Sequence, residues 1–75
     1  MSKLPAVTAR EAIRAFQKAG FTIARTHSSH VILTKQGFLY NLSIPLHKGK
    51  ALPKGLLRSQ IKLAGLTVTE FCSLL

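Results

Sequence analysis

The 75-residue chain contains no aspartate, no tryptophan and only two acidic residues, Glu11 and Glu70. It also has a single cysteine, Cys72, which excludes an internal disulfide and is typical of a reducing cytoplasm. No apolar run approaches the roughly 20 residues that cross a bilayer, and the start, MSKLPAVTAR, lacks the apolar stretch of a signal peptide. We therefore expect a cytoplasmic protein with no membrane partner.

Positive charge dominates the composition. Eleven lysines and arginines give a net charge of +9, and they are spread along the chain rather than collected in a tail. A folded domain of this charge favours a polyanionic partner, most often nucleic acid. An acidic protein partner is the alternative, and the two interpretations are compatible. The length predicts one small domain, residues 1–75, too small to enclose a deep pocket.

Two capping boxes predict where helices begin. Thr8 and Glu11 open a helix predicted over residues 8–19, and Thr67 and Glu70 open a short C-terminal helix. Because both glutamates occupy capping positions, neither is free to serve as a general base or a metal ligand.

A further helix is predicted from Pro53, which suits a first helical turn, to Gly65, which suits a helix end. Three basic residues spaced four apart form a stripe on one of its faces: Lys54, Arg58 and Lys62.

Three strands are predicted between the helices. Residues 21–26 and 30–35 are rich in β-formers and are separated by a turn at residues 27–29. The third strand, residues 38–44, follows a short connection and is ended by Pro45. Its alternation predicts one buried set: Phe38, Tyr40, Leu42 and Ile44. Stacking on a base is the alternative role for Tyr40.

The element order is α-β-β-β-α with a short C-terminal helix. This order predicts a small α+β domain in which a three-stranded antiparallel sheet carries the helices on one face. Double-stranded-RNA-binding domains share the order, but such a likeness of fold assigns no function by itself.

The side chains present limit the possible chemistry. A two-metal nuclease and a Ser-His-Asp triad both need carboxylates that this chain lacks. Four possible zinc ligands have no zinc-binding spacing, so we predict no metal and no cofactor: His27, His30, His47 and Cys72. What remains is histidine as a proton-transfer group. RNA supplies its own nucleophile, the 2′-hydroxyl, so the composition favours RNA over DNA. On composition and spacing alone, the favoured interpretation is that His30 simply begins a strand with its ring in solvent.

Several segments occur together in a familiar order. These are AGF after the first helix, SSH at the start of the second strand, IPLHKGKALPKGLLRSQIKLAG, and TVTEF. Over roughly residues 8–75 the chain resembles the HicA (YcfA-like) toxin family. The resemblance implies a small mRNA-cleaving toxin with a double-stranded-RNA-binding-like fold. It also implies that a HicB antitoxin holds the toxin inactive and that the cleavage arrests translation.

Matched by position, the resemblance implies that His30 is the catalytic histidine of the family's Gly-Ser-His motif. His47 matches the loop histidine of its Pro-x-His-x-Gly segment, and we expect it to position the RNA. Ser29 either contacts the His30 ring or a phosphate, or is simply a turn residue. We expect four basic residues to bind phosphates: Lys48, Lys50, Lys54 and Arg58.

The chain departs from the family pattern at two positions. Ser28 stands where the motif has glycine, and Leu56 stands where the second helix usually has threonine. Six leucines exceed what one small core requires and predict an apolar surface for an antitoxin: Leu39, Leu46, Leu52, Leu56, Leu66 and Leu75. Three functions remain open, namely a metal-independent endoribonuclease toxin, a non-catalytic RNA-binding module or inactive toxin homologue, and a protein-interaction domain.

Overall fold

A computed structural model of the protein describes residues 3–46 and 49–75. Its elements are α1 (Ala9–Lys18), β1 (Thr22–His27), β2 (His30–Thr34), β3 (Leu42–Pro45), α2 (Lys54–Leu63) and α3 (Val68–Ser73). The three strands form one antiparallel sheet in the order β1-β2-β3. The predicted α+β class and element order are confirmed.

The capping boxes form as predicted. The Thr8 backbone N–H donates to Glu11 Oε1 over 2.9 Å, while the Glu11 N–H donates to Thr8 Oγ1. Thr67 and Glu70 repeat both bonds at the start of α3. Each box satisfies backbone N–H groups that a helix start otherwise leaves without a partner.

The sheet has an inner face packed against the helices. Val31 lies opposite Ile44, and Leu33 lies opposite Leu42, so these four buried side chains share that face. Aromatic rings from the helices complete the core, with Phe16 of α1 and Phe71 of α3 at a centroid distance of 5.1 Å. The opposite, outer face lies mostly outside this core, because β1 and His30 are exposed there and Ile32 is half-buried, although Pro45 is buried.

Lys35, which follows β2, links that strand to the C-terminal end of α1 by a hydrogen bond. Its Nζ donates to the Ala19 carbonyl oxygen over 2.9 Å and lies 5.6 Å from the centroid of the Phe21 ring and 5.0 Å from that of Phe38. A cation is favourable at a helix C-terminus, where the last carbonyl groups carry partial negative charge.

The third strand is shorter than predicted. It begins at Leu42, not Phe38, because the Phe38 N–H donates to the Lys35 carbonyl oxygen and closes a tight turn. The residues after this turn have no strand partner. Tyr40 is therefore 61% exposed, and the prediction that it belongs to the core is wrong.

The two edges of the sheet differ. On β3 the Ser43 N–H donates to the Gln60 side chain of α2 over 3.0 Å. On β1 every residue is exposed, including Ile23 at 47%. In the described part of the chain, β1 pairs only with β2, so its outer edge is open. Among these same residues no helix combines the length and apolar character needed to cross a membrane.

A candidate histidine site on the outer face of the sheet

The β1–β2 hairpin brings two histidines together. The sequence predicted a turn at residues 27–29, but His27 is the last residue of β1 and only Ser28 and Ser29 form the turn. In the resulting register His27 lies directly opposite His30. Directly opposed residues have Cβ atoms about 5 Å apart and point to the same face.

Ser28 has a backbone conformation that favours glycine. Its φ is 54°, and among the described residues it is the one non-glycine residue with a positive φ. A two-residue hairpin needs such a residue at its first central position. Ser28 therefore takes the place of the glycine in the Gly-Ser-His motif without a change of turn, because it adopts the left-handed backbone conformation that glycine adopts more readily.

His27 and His30 both lie on the outer face of the sheet. Val31 is buried in the inner face, so its neighbour His30 points the other way, and His27 shares that direction through its pairing. Both residues are exposed. Within residues 3–46 and 49–75 neither imidazole makes a hydrogen bond. Both rings are therefore accessible to an incoming group.

The neighbours of this pair are a cation and a proline. Arg25 is opposite Ile32 in the register, which places the guanidinium on the same outer face, diagonal to His30. On its other side His30 pairs with Pro45, which has no side-chain group to exchange a proton. His27 is thus the titratable residue directly across from His30 in the described part of the sheet.

The turn is also the anchor of the loop that follows β3. The Leu46 N–H donates to the Ser29 carbonyl oxygen over 2.6 Å. Ser29 is thereby a turn residue with a backbone role, and its side chain makes no hydrogen bond to the His30 ring among the residues described.

The far end of the same loop is tied to the segment before α1. Leu52 donates its N–H to the Val7 carbonyl oxygen over 2.7 Å, beside an isolated bridge between Thr8 and Ala51. Lys50 is exposed next to this bridge. The predicted site residues His47 and Lys48 lie outside the described residues.

Two arginines of α1 lie near the hairpin turn. Arg10 and Arg14 line a shallow surface depression together with Ile13, Gln17 and Leu46. Since Leu46 is bonded to Ser29, this depression adjoins the turn that carries His30. α1 therefore adds two positive charges next to the turn, besides that of Arg25 on β1.

The basic residues predicted on α2 do not lie beside the hairpin turn. Lys54 and Arg58 are exposed, and within the ranges described the backbone of α2 runs closest to β3 and α3 rather than to β1 or β2. Gln60 faces the β3 edge. Arg58 precedes it by two residues, so it lies roughly 160° around the helix axis. The structure does not pack Lys54 or Arg58 against His30.

The sequence model of the HicA toxins of bacterial toxin–antitoxin systems matches residues 9–66. The chain belongs to the HicA toxin family. The matched segment contains α1, the whole sheet with the His27–His30 pair, and α2. Membership implies an antitoxin as partner, since the family consists of toxins of toxin–antitoxin pairs. No curated protein matches the chain.

The described residues of this HicA-family chain contain no group of three or more histidine, cysteine, aspartate or glutamate side chains arranged to hold a metal ion. Cys72 packs against the edge of the core and lies on α3. His27 and His30 form a pair without a third ligand.

Four side chains around the HicA-family turn were not predicted as site residues: Arg10, Arg14, Arg25 and His27. A two-residue turn at Ser28 and Ser29 would have placed His27 and Arg25 on one face with His30, because strand side chains repeat every second residue. The arginines of α1 had no comparable signal, since their proximity to the turn depends on how the helix packs on the sheet.

Proposed function

We propose that this HicA-family toxin is a metal-independent endoribonuclease that cleaves mRNA and thereby inhibits translation. His30 acts as general base or general acid, on the 2′-hydroxyl or on the leaving 5′-oxygen. The observation that carries the proposal is the position of His30, exposed beside the Ser28–Ser29 turn at the start of β2 in a chain of this family.

The chemistry suits the residues available. A ribonucleotide carries its nucleophile, so the protein has to move protons and stabilise the charge on phosphorus. Histidine moves protons near neutral pH, and guanidinium groups bind phosphate oxygens in a bidentate manner. Arg25 lies on the same face as His30, where its charge favours the phosphorane formed during attack. No spare carboxylate is required.

The remaining basic residues bind the RNA backbone in this proposal. Lys50, Lys54 and Arg58 are exposed and free to contact phosphates away from the cleaved bond. His47 and Lys48 belong to the same proposed surface on the strength of the family resemblance. Backbone contacts of this kind raise affinity without reading the sequence.

The proposed partner is a HicB-like antitoxin that covers His30 or its basic surroundings. One of the leucines predicted as a docking surface supports it, because Leu46 is 44% exposed beside the hairpin turn. Leu39 is 86% exposed but follows the Lys35–Phe38 turn, at the opposite end of β2 from His30. Leu52, by contrast, is 3% exposed and belongs to the core. Co-expression followed by an RNA competition assay tests the occlusion. Simultaneous binding of antitoxin and RNA would contradict it.

The decisive experiment is cleavage of RNA in the presence of EDTA by the wild type and by His30→Ala. We expect fragments ending in 2′,3′-cyclic phosphate from the wild type and a loss of about 10²–10⁴-fold in rate with the variant. Thr34→Ala, at the other end of the outer face of β2, is the matched control and should cleave normally.

Two results would contradict the proposal. RNA binding without cleavage by the wild type would leave a non-catalytic RNA-binding module or an inactive toxin homologue. Equal cleavage by wild type and His30→Ala would assign the chemistry to another residue, and His47 would be tested next.

A further inference from the structure

We propose that His27 is a second proton-transfer residue of this site and that it divides the acid and base roles with His30. The inference rests on the proposed endoribonuclease function and extends it. Nothing in the family match assigns a role to His27.

The hairpin geometry carries the proposal. A two-residue turn makes His27 and His30 directly opposed partners, with both side chains on the outer face and both exposed. Their Cβ atoms are therefore about 5 Å apart. Two rings at this separation reach the same phosphodiester, one from each strand, while neither is committed to a hydrogen bond in the described part of the chain.

Cleavage at a ribonucleotide requires two proton transfers. One neutral imidazole removes the proton of the 2′-hydroxyl as O2′ forms a bond to phosphorus. The other imidazole, protonated, gives its proton to O5′ as the P–O5′ bond breaks. The products are a 2′,3′-cyclic phosphate and a 5′-hydroxyl, and the charge of the phosphodiester is unchanged.

A single histidine cannot fill both roles in the same step, because one role needs the neutral ring and the other needs the charged ring. The direct neighbour of His30 on β3 is Pro45, which offers no proton. Neither glutamate is available, since Glu11 and Glu70 are bonded in the capping boxes. On the sheet as described, His27 is the cross-strand partner with the required chemistry.

The surroundings of the pair favour phosphate. Arg25 lies on the same face and is the charged residue nearest to both histidines along β1. Its guanidinium is placed to bind a non-bridging phosphate oxygen while the two imidazoles act on O2′ and O5′. The three side chains form one surface across two strands.

The test uses two matched oligoribonucleotides, one with the normal scissile phosphodiester and one with sulfur in place of the bridging 5′-oxygen. A thiolate leaves without being protonated, because a thiol is a much stronger acid than an alcohol. The proteins are the wild type, His27→Gln, His30→Gln and Thr26→Gln. Thr26 neighbours His27 but points to the other face of β1, so Thr26→Gln is the control.

We expect each histidine variant to cleave the oxygen substrate about 10²–10⁴-fold more slowly than the wild type. With the sulfur substrate, one of the two variants should regain nearly the wild-type rate, which identifies its residue as the acid. The other should stay slow, because its base is missing. Thr26→Gln should match the wild type on both substrates.

Two results would overturn the assignment of His27 while leaving the proposed function in place. One is cleavage of the oxygen substrate by His27→Gln at the wild-type rate. The other is a slow His27→Gln with neither histidine variant rescued by sulfur, which would mean a loss of binding or structure. If the wild type itself cleaves neither substrate, the proposed function fails and the role of His27 fails with it.

Discussion

The side chain of Gln60 on α2 accepts a hydrogen bond from the backbone N–H of Ser43 on β3, over 3.0 Å. A helix side chain thus takes the place that a fourth strand would occupy at this edge. The contact joins α2 to the sheet and leaves β1, at the opposite side, as the open edge. An unpaired edge strand is a ready template for pairing with another chain, so covering one edge limits where that can occur.

Replacing Gln60 by alanine should lower the free energy of unfolding by about 1 kcal/mol, because the partly buried Ser43 N–H loses its acceptor. Chemical denaturation measures the change. Gln17→Ala, an exposed glutamine on α1, is the control and should change stability by less than about 0.5 kcal/mol. Equal losses in the two variants would mean that the bond contributes nothing.

Ser28→Gly should raise the free energy of unfolding by about 1 kcal/mol, because glycine adopts the positive φ of this turn without the steric cost that serine bears. Ser29→Gly is the matched control. Its φ is not positive, so glycine only adds freedom to the unfolded chain and should lower stability by about 0.4–1 kcal/mol. The assignment of strain to Ser28 fails if both variants are destabilised.

Tyr40→Ala and Leu42→Ala should lower the free energy of unfolding by very different amounts. The sequence pattern nevertheless places Tyr40 and Leu42 on one face of a strand. Leu42 is fully buried, and its truncation should cost about 2–5 kcal/mol. Tyr40 is mostly exposed, and its truncation should cost less than about 0.5 kcal/mol. Thermal or urea denaturation distinguishes them. A large loss of stability in Tyr40→Ala would instead support the longer third strand that the sequence pattern predicts.

The stability of the chain should contain an acid-sensitive contribution from Glu11. The Thr8 backbone N–H and then the Thr8 hydroxyl donate to this carboxylate and hold the pKa of Glu11 below its ordinary value. A lowered folded-state pKa gives stability that is present above the ordinary carboxyl range and is lost as pH falls through the folded value. Denaturation at neutral pH and in acid should therefore show a smaller acid loss for Glu11→Gln than for the wild type.

Thr8→Val is the matched control for Glu11. It removes the hydroxyl but keeps the backbone N–H, which is the larger cause of the shift, so most of the acid-sensitive contribution should persist. If Thr8→Val abolished the contribution as completely as Glu11→Gln, the hydroxyl and not the backbone N–H would be its main source.

Removing the positive charges of Lys54 or Arg58 on α2 should weaken RNA binding without slowing the chemical step. We expect Lys54→Ala and Arg58→Ala each to reduce the salt slope of single-stranded RNA affinity by about 0.7, the amount for one lost phosphate contact. Single-turnover cleavage at saturating enzyme should stay at the wild-type rate, since Lys54 and Arg58 are exposed on a helix that lies beside β3 and not beside the His27–His30 pair. Ser59→Ala, uncharged and on the same helix, is the control. An unchanged slope would remove these residues from the proposed RNA surface.

Local signals in the sequence determined where the helices lie, because the ends of a helix depend on residues that are close together in the chain. Thr8 with Glu11, and Thr67 with Glu70, satisfy backbone groups within four residues, so the capping boxes appeared as predicted. The α+β order followed in the same way from the periodicity of the apolar residues. The resemblance to the HicA family also followed from short motifs in a fixed order, and the family match confirms it.

Tertiary structure decided the strand boundaries and the composition of the candidate site. The alternation from Phe38 onwards is a valid strand pattern, but a strand needs a partner, and the Lys35–Phe38 turn leaves that segment without one. His27 and Arg25 become neighbours of His30 through a β1–β2 register that depends on the exact length of the Ser28–Ser29 turn, a boundary that the residue pattern left one residue too wide. Arg10, by contrast, adjoins the turn only through the packing of α1, which arises from contacts between residues distant in sequence that local patterns do not encode.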